Sequence, residues 1–212
     1  MYKAIIFDMD MTLIDSKSVG YSSFNELNSI YGLDISKISD QDMWRYTHVE
    51  LMEKVAEQNN DEYPWEQISQ WNRTSMHKHY ADAEILYIDV LMKLKEKGIH
   101  MSLVSSANID VINLVLENPN NARLKFSEVY GSEYGKSKVD FIKQIIESNG
   151  FKPEEVMYVG DHEKDMVAAK KAGVIAVGIT TGFYFRPRLI EAGADIVIDN
   201  LGELVNYFEE KR

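Results

Sequence analysis

Cysteine is absent from this 212-residue chain, and so is any long apolar run. Without cysteine, neither a disulfide bond nor a thiolate metal site can form. No apolar segment approaches the roughly 20 residues that a membrane-spanning helix needs. A strand pattern begins at once and is soon interrupted by acids, unlike a signal peptide. We therefore expect a cytoplasmic protein without a membrane partner.

Basic residues are also in the minority, because 23 lysines and arginines face 34 acidic residues, for a formal net charge of −11. No basic stripe is present, which argues against a nucleic-acid partner. The overall charge does not steer an anionic substrate either, so any attraction must be local. The length allows one large domain, or one domain with a smaller companion.

The most informative segment is the acidic turn after the first apolar run. Residues 5–7 predict a short buried strand, and Asp8, Asp10 and Thr12 follow it. Two carboxylates this close are costly to keep ionised together unless a cation lies between them. Mg²⁺ takes oxygen ligands and recruits substrate phosphate, and an aspartate here could attack phosphorus. For this motif alone, a plain strand followed by an acidic turn stays open.

Three later element boundaries also carry polar or charged side chains. The apolar run at 156–159 ends in acids, and the other two boundaries offer hydroxyls and lysines. Ligands bind at the carboxyl edge of an open parallel sheet, so these groups are expected to converge there. The candidates are Asp161 and Asp165, Ser105 and Ser106, and Lys136, with Lys138 as a rival for the lysine.

The order of these motifs resembles that of the haloacid dehalogenase-like superfamily of phosphohydrolases. The chain is most similar to the phosphoglycolate phosphatase-like subgroup, in which a helical cap follows the first motif. Met11 stands where that subgroup usually has glycine, and Ser137 stands where a proline is common. The four family motifs are matched, in chain order, by Asp8-x-Asp10-x-Thr12, Ser105, Lys136 and Gly160-Asp161-x-x-x-Asp165.

The resemblance implies a Mg²⁺-dependent phosphatase that hydrolyses a small phosphorylated metabolite through an aspartyl-phosphate. Asp8 would be the nucleophile, and Asp10 would act as general acid and then as general base. Asp165 would hold a metal-bound water or Lys136. The implied metal ligands are Asp8, Asp10 (also through its carbonyl), Asp161 and Asp165, and the implied phosphate-binding residues are Ser105, Ser106 and Lys136.

Alternating strand and helix patterns predict an α/β fold with a Rossmann-like parallel sheet and helices on both faces. The core is expected to comprise residues 1–16 and 82–212. The predicted strands are 3–7, 100–105, 128–130, 156–159, 174–179 and 195–198.

Residues 17–81 interrupt this alternation and predict an inserted α-helical cap with helices at 21–30, 42–58 and 65–79. A cap over the active-site edge would select the substrate, and Arg45 and His48 are candidates for that role. Both could instead be ordinary solvated helix residues. The protein is expected to be a monomer or a homodimer.

Two other functions remain open. A phosphomutase of the same family would return the phosphoryl group to a sugar, and a non-catalytic domain on this fold would only bind a ligand. The acids Asp8, Asp10 and Asp161 argue against the second, since a domain without catalysis has no use for them.

Overall fold

The protein folds into two compact units, of which one comprises residues 1–14 and 84–212 and the other residues 15–83. The computed structural model describes residues 2–34, 38–39, 48–59, 64–132, 135–182 and 185–208, with the backbone alone at 48–52. The two junctions lie two residues from the predicted ones. Within these described ranges, every helix is too short or too polar to cross a membrane.

The first unit is built on a six-stranded, entirely parallel sheet. Its strands are β1 (Ala4–Phe7), β2 (His100–Val104), β3 (Val129–Tyr130), β4 (Val156–Gly160), β5 (Ile175–Ile179) and β6 (Ile196–Ile198). Their order across the sheet is β3-β2-β1-β4-β5-β6, with every neighbouring pair parallel. The predicted α/β class is confirmed, and each strand lies within one residue of its prediction.

Helices connect the strands and also form the second unit. They are α1 (Ser16–Tyr31), α2 (His48–Gln58), α3 (Trp65–Asp82), α4 (Ile88–Glu96), α5 (Ile109–Glu117), α6 (Lys138–Asn149), α7 (Glu163–Ala172), α8 (Arg186–Glu191) and α9 (Val205–Phe208). Glycines in the left-handed conformation end α6 and α7 at Gly150 and Gly173. The short helix α8 was not predicted.

The sheet is buried on both faces, which is why its strands read as continuous apolar runs. Every residue of β1 and of β4 is buried. On one face, Ile6 and Tyr158 belong to the same apolar cluster as Ile142 of α6 and Met166 of α7. Burial of each large apolar side chain contributes about 1.5–3 kcal/mol to the free energy of folding, so this core stabilises the strands that end at the sheet edge.

The strand register brings the ends of the central strands to one level. Phe7, the last residue of β1, pairs with Leu103 of β2 and with Val159 of β4. The residues that follow these strands therefore emerge at the same edge. The strand order also reverses direction beside β1, and in open α/β sheets the crevice at such a point is where ligands bind.

The second unit is helical and has its own small core. Buried residues of α1, α2 and α3 contribute to that core, together with Leu33 after α1: Phe24, Leu27, Leu33, Val55 and Ile68. Asp15 caps the start of α1, where its carboxylate accepts a hydrogen bond from the Ser18 amide at 3.2 Å. The helix predicted over 42–58 is observed from His48, and residues 42–47 lie outside the described ranges.

Candidate active site

Three buried carboxylates converge at the carboxyl edge of the sheet. Asp8 follows β1, Asp161 follows β4, and Asp165 lies in the first turn of α7. One carboxylate oxygen from each lies within 4.8 Å of the other two. The end of one strand thus brings Asp8 to Asp161 and Asp165, two acids from a distant part of the chain that lie at the end of a second strand and the start of a helix.

A single ammonium group lies among these acids. Lys138 Nζ is 2.9 Å from Asp8 Oδ1 and donates a hydrogen bond of 2.6 Å to Asp165 Oδ1. The contact with Asp8 is an ion pair without the alignment of a hydrogen bond. Lys138 is the first residue of α6, and Ser137 and Asp140 cap that helix start with reciprocal hydrogen bonds.

The structure places Lys138 at the acid cluster, whereas Lys136, the preferred lysine in the sequence analysis, lies elsewhere. The Lys136 side chain is exposed and donates to Gln144 Oε1 at 2.9 Å, away from Asp8. The physical reason is the point at which α6 begins: Lys136 precedes the Ser137 cap, whereas Lys138 follows it and is directed to the acids. The structure therefore brings the rival lysine to the cluster.

Asp165 has most of its hydrogen-bonding capacity occupied within the protein. Its Oδ1 accepts from Lys138 and lies 3.4 Å from the Tyr158 hydroxyl, and its Oδ2 accepts from the His162 amide at 3.1 Å. A side chain at Gly160 would crowd it, because a Cβ there would lie 2.6 Å from the Asp165 carboxylate. Asp165 is thus built to hold Lys138 and the start of α7.

The cluster carries more negative than positive charge. Burial and the charges of Asp165 and Asp10 raise the pKa of Asp8 from 3.8 to about 7, although Lys138 opposes this. Burial and the charges of Asp165 and Asp8 raise the pKa of Asp161 well above its usual value. Burial alone would lower the pKa of Lys138, but Asp165 and Asp8 raise it well above the usual value.

The donor set fits a divalent cation. Three carboxylates with one ammonium leave an excess negative charge, and a cation beside Asp8 and Asp161 would reverse the rise in their pKa values. Carboxylate oxygens are the ligands that Mg²⁺ takes. Asp8 and Asp161 are available to hold the ion, and Asp10 would join through the backbone carbonyl that the resemblance implies.

The turn after β1 is tightly wound. The Met9 carbonyl accepts hydrogen bonds from three successive amides, at residues 12, 13 and 14. Met11 has a φ of 55°, which is the left-handed region that glycine adopts easily, and this explains glycine at that position in the resembling subgroup. The Thr12 hydroxyl is buried and has no hydrogen-bond partner among the described residues. Asp10 is half-buried beside this turn.

The two serines after β2 lie at the same sheet edge but differ in exposure. Ser105 is buried, and its hydroxyl accepts a hydrogen bond from the Ala107 amide at 3.1 Å. Ser106 is exposed. Ser105 is therefore held in place by its own loop.

A family model described as haloacid dehalogenase-like hydrolase matches residues 5–179. The chain belongs to the haloacid dehalogenase-like hydrolase family. This confirms the resemblance drawn from the motifs, and it makes the protein a hydrolase.

Two curated relatives of this haloacid dehalogenase-like hydrolase are phosphoglycolate phosphatases by name. A phosphoglycolate phosphatase of Synechococcus elongatus is 29% identical over 209 residues, covering 96% of this chain and 95% of that protein. Phosphoglycolate phosphatase 1 of Pseudomonas aeruginosa is 24% identical and covers 96% of this chain and 78% of that protein. Among solved structures, a candidate β-phosphoglucomutase from Thermotoga maritima has a TM-score of 0.85 at 19% identity, with both chains fully covered, which shows the shared fold.

The structure leaves one sequence prediction untested and adds one residue beside the acids. Arg45 lies outside the described residues, and only the backbone of His48 is described, so their role in specificity stays a prediction. Conversely, Gly182, which is not among the candidate site residues of the sequence analysis, lies directly against Asp161. Its position just after a strand of the same sheet was the signal that could have placed it at this edge.

Proposed function

We propose that this hydrolase is a Mg²⁺-dependent phosphatase that acts on small phosphate monoesters through an aspartyl-phosphate on Asp8. The observation that carries the proposal is the buried group of Asp8, Asp161 and Asp165 with the Lys138 ammonium among them. Such a group combines a nucleophile, a cation site and a positive charge for phosphoryl oxygens. The phosphatase names of the curated relatives support the same chemistry.

In the first step, a carboxylate oxygen of Asp8 attacks phosphorus and the ester P–O bond breaks. The bonding electron pair leaves with the alcohol oxygen, which takes a proton from the Asp10 carboxylic acid. Lys138, held by Asp165, neutralises charge on the phosphoryl oxygens, and the Ser105 hydroxyl donates to one of them. A bound Mg²⁺ would supply further charge neutralisation between nucleophile and phosphate.

In the second step, water attacks phosphorus of the aspartyl-phosphate on the side opposite Asp8. Asp10, now a carboxylate, takes the proton from that water, and the bond from phosphorus to Asp8 breaks. Inorganic phosphate leaves, and the Asp8 carboxylate is regenerated. Lys138 remains 2.9 Å from Asp8 Oδ1 in the free protein, which favours the ionised nucleophile for the next cycle.

Phosphoglycolate is the first substrate to test, because two relatives that each cover 96% of the chain are named for its hydrolysis. We further propose that the inserted helical unit selects the substrate, with Arg45 and His48 as its candidates.

The test is release of inorganic phosphate from phosphoglycolate, from a panel of sugar phosphates and from p-nitrophenyl phosphate. Turnover with Mg²⁺ that stops with a chelator supports the proposal. Interconversion of sugar phosphates without release of phosphate would replace it with a phosphomutase. Ligand binding without any turnover would replace it with a binding domain.

A further inference from the structure

We propose that Thr181 and Gly182, which follow β5, are positioning residues that fix the metal ligand Asp161 relative to the turn after Asp8. This inference rests on the proposed function, since it assigns to Asp161 the role of metal ligand. It adds two residues that lie beyond 5–179, the range matched by the family model.

Gly182 forms the wall against which the Asp161 carboxylate lies. A Cβ atom at position 182 would overlap Asp161 Oδ2 and would lie 2.6 Å from its Cγ and 2.8 Å from its Cβ. Real side-chain atoms do not approach this closely, so a residue other than glycine must displace either Asp161 or the backbone at position 182. Glycine at position 182 therefore leaves the space that the Asp161 carboxylate occupies.

Thr181 contacts the turn that follows Asp8. Its hydroxyl donates a hydrogen bond to the Met11 carbonyl, across 170 positions of the chain. Met11 has the left-handed φ of 55°, a conformation that costs a non-glycine residue about 1–2 kcal/mol. A hydrogen bond to the Met11 carbonyl helps to hold this unfavourable backbone, and with it the direction of the preceding Asp10.

These two contacts come from adjacent residues of one segment. A shift of the segment therefore moves the support of Asp161 and the support of the Met11 turn together. A simple turn after β5 would need neither contact, because the neighbouring Thr180 already anchors the segment to β6 and the residue after it. The Thr180 amide donates to the Ile198 carbonyl, and the Thr180 hydroxyl donates to Asp199 at 2.9 Å. Thr180 is thus a natural control within the same segment.

The test uses the full-length protein and five variants. Gly182→Ala displaces Asp161, and Gly178→Ala is its control, because a Cβ at Gly178 would meet only Leu189 at 3.0 Å. Thr181→Val removes the hydroxyl at nearly constant volume, Thr181→Ser restores it, and Thr180→Val is the matched control. Measurements are Mg²⁺ affinity by calorimetry, the Mg²⁺ dependence of p-nitrophenyl phosphate hydrolysis, kcat, KM and thermal unfolding.

Gly182→Ala should weaken Mg²⁺ affinity about tenfold or more, the usual effect of disturbing a neighbour of a metal ligand. Gly178→Ala should lower the unfolding temperature without changing that affinity. Thr181→Val should lower kcat about fivefold with little change in KM, in line with loss of one hydrogen bond. Thr181→Ser should recover most of the lost kcat, and Thr180→Val should match the unsubstituted protein in kcat.

Mg²⁺ affinity unchanged in a folded Gly182→Ala protein, or equal loss of kcat in Thr181→Val and Thr180→Val, would overturn the inference. Failure of the proposed function looks different: the unsubstituted protein would show no Mg²⁺-dependent turnover. Calorimetry would then still compare Gly182→Ala with Gly178→Ala. An unsubstituted protein that binds no Mg²⁺ would overturn both proposals.

Discussion

The two units bury polar side chains in opposite ways. In the helical unit, the buried Ser23 hydroxyl donates to Asn72, and Ser75 donates to Glu26 at 2.5 Å. These bonds tie α1 to α3. In the sheet unit, Asp8 and Asp161 are buried in an environment that disfavours their charge, with the ammonium of Lys138 shared among the acids.

The difference separates structural from functional polar groups. A buried polar group whose partner is a neighbouring side chain holds elements together. Buried charges in excess of their partners cost stability, and perturbed carboxylates gathered at a sheet edge are typical of catalytic sites. Substitutions in the acid cluster should therefore change activity more than stability, whereas substitutions between α1 and α3 should do the reverse.

The largest effect is expected at Asp8. Asp8→Asn should lower turnover about 10³-fold or more, because it removes the proposed nucleophile. The unfolding temperature should stay the same or rise, since a neutral amide avoids the cost of burying charge. Asp89→Asn is the control, because Asp89 is an exposed acid of the same unit. Substantial turnover by a folded Asp8→Asn protein would contradict the aspartyl-phosphate mechanism.

The second-largest effect is expected at Lys138, with Lys136 as the comparison. Lys138→Met should lower kcat/KM about 10²-fold, because it removes the charge placed for the phosphoryl group. It should also lower the unfolding temperature, since Asp8 and Asp165 would lose their shared counter-ion. Lys136→Met should stay within about twofold of the unsubstituted protein, as exposed substitutions usually do. The reverse ranking would restore Lys136 as the phosphate-binding lysine.

The third effect is the pH dependence of stability without metal. The pKa of Asp8 is raised from 3.8 to about 7, so the folded protein binds this proton more tightly than the unfolded chain. Its contribution to stability is therefore greatest below 3.8 and is lost as the pH rises through about 7. Added Mg²⁺ should raise the unfolding temperature more at about pH 8 than at about pH 5. Asp8→Asn should reduce this difference, and an equal Mg²⁺ effect at both values would count against the cation site.

The architecture and the grouping of the acids could be predicted from the sequence, whereas two details of the site could not. Each apolar run is a strand, and the acids at the ends of β1 and β4 meet because parallel strands end at one edge. The choice between Lys136 and Lys138 depends on the residue at which α6 begins. The contact of Gly182 with Asp161 depends on packing between segments of distant sequence, which no local pattern encodes.

The smallest expected effects are those of removing one buried hydroxyl group from each unit. Ser23 of the helical unit is fully buried and donates to Asn72. Thr12 of the sheet unit is also fully buried, but its hydroxyl lacks a hydrogen-bond partner among the described residues. A buried hydroxyl without a protein partner costs stability, so we expect a ligand oxygen to be the partner of the Thr12 hydroxyl.

Ser23→Ala should therefore lower the free energy of unfolding by about 1–2 kcal/mol, because Asn72 loses a buried donor. Its kcat at a temperature well below unfolding should be unchanged. Thr12→Val keeps the shape and removes only the unpartnered hydroxyl, so its free energy of unfolding should be equal or higher. Its kcat should nevertheless fall about threefold to tenfold, the range expected for one hydrogen bond made to the reacting ligand. Urea unfolding and phosphate release measured on both variants would decide the matter: loss of stability in Thr12→Val with unchanged kcat would make Thr12 as structural as Ser23.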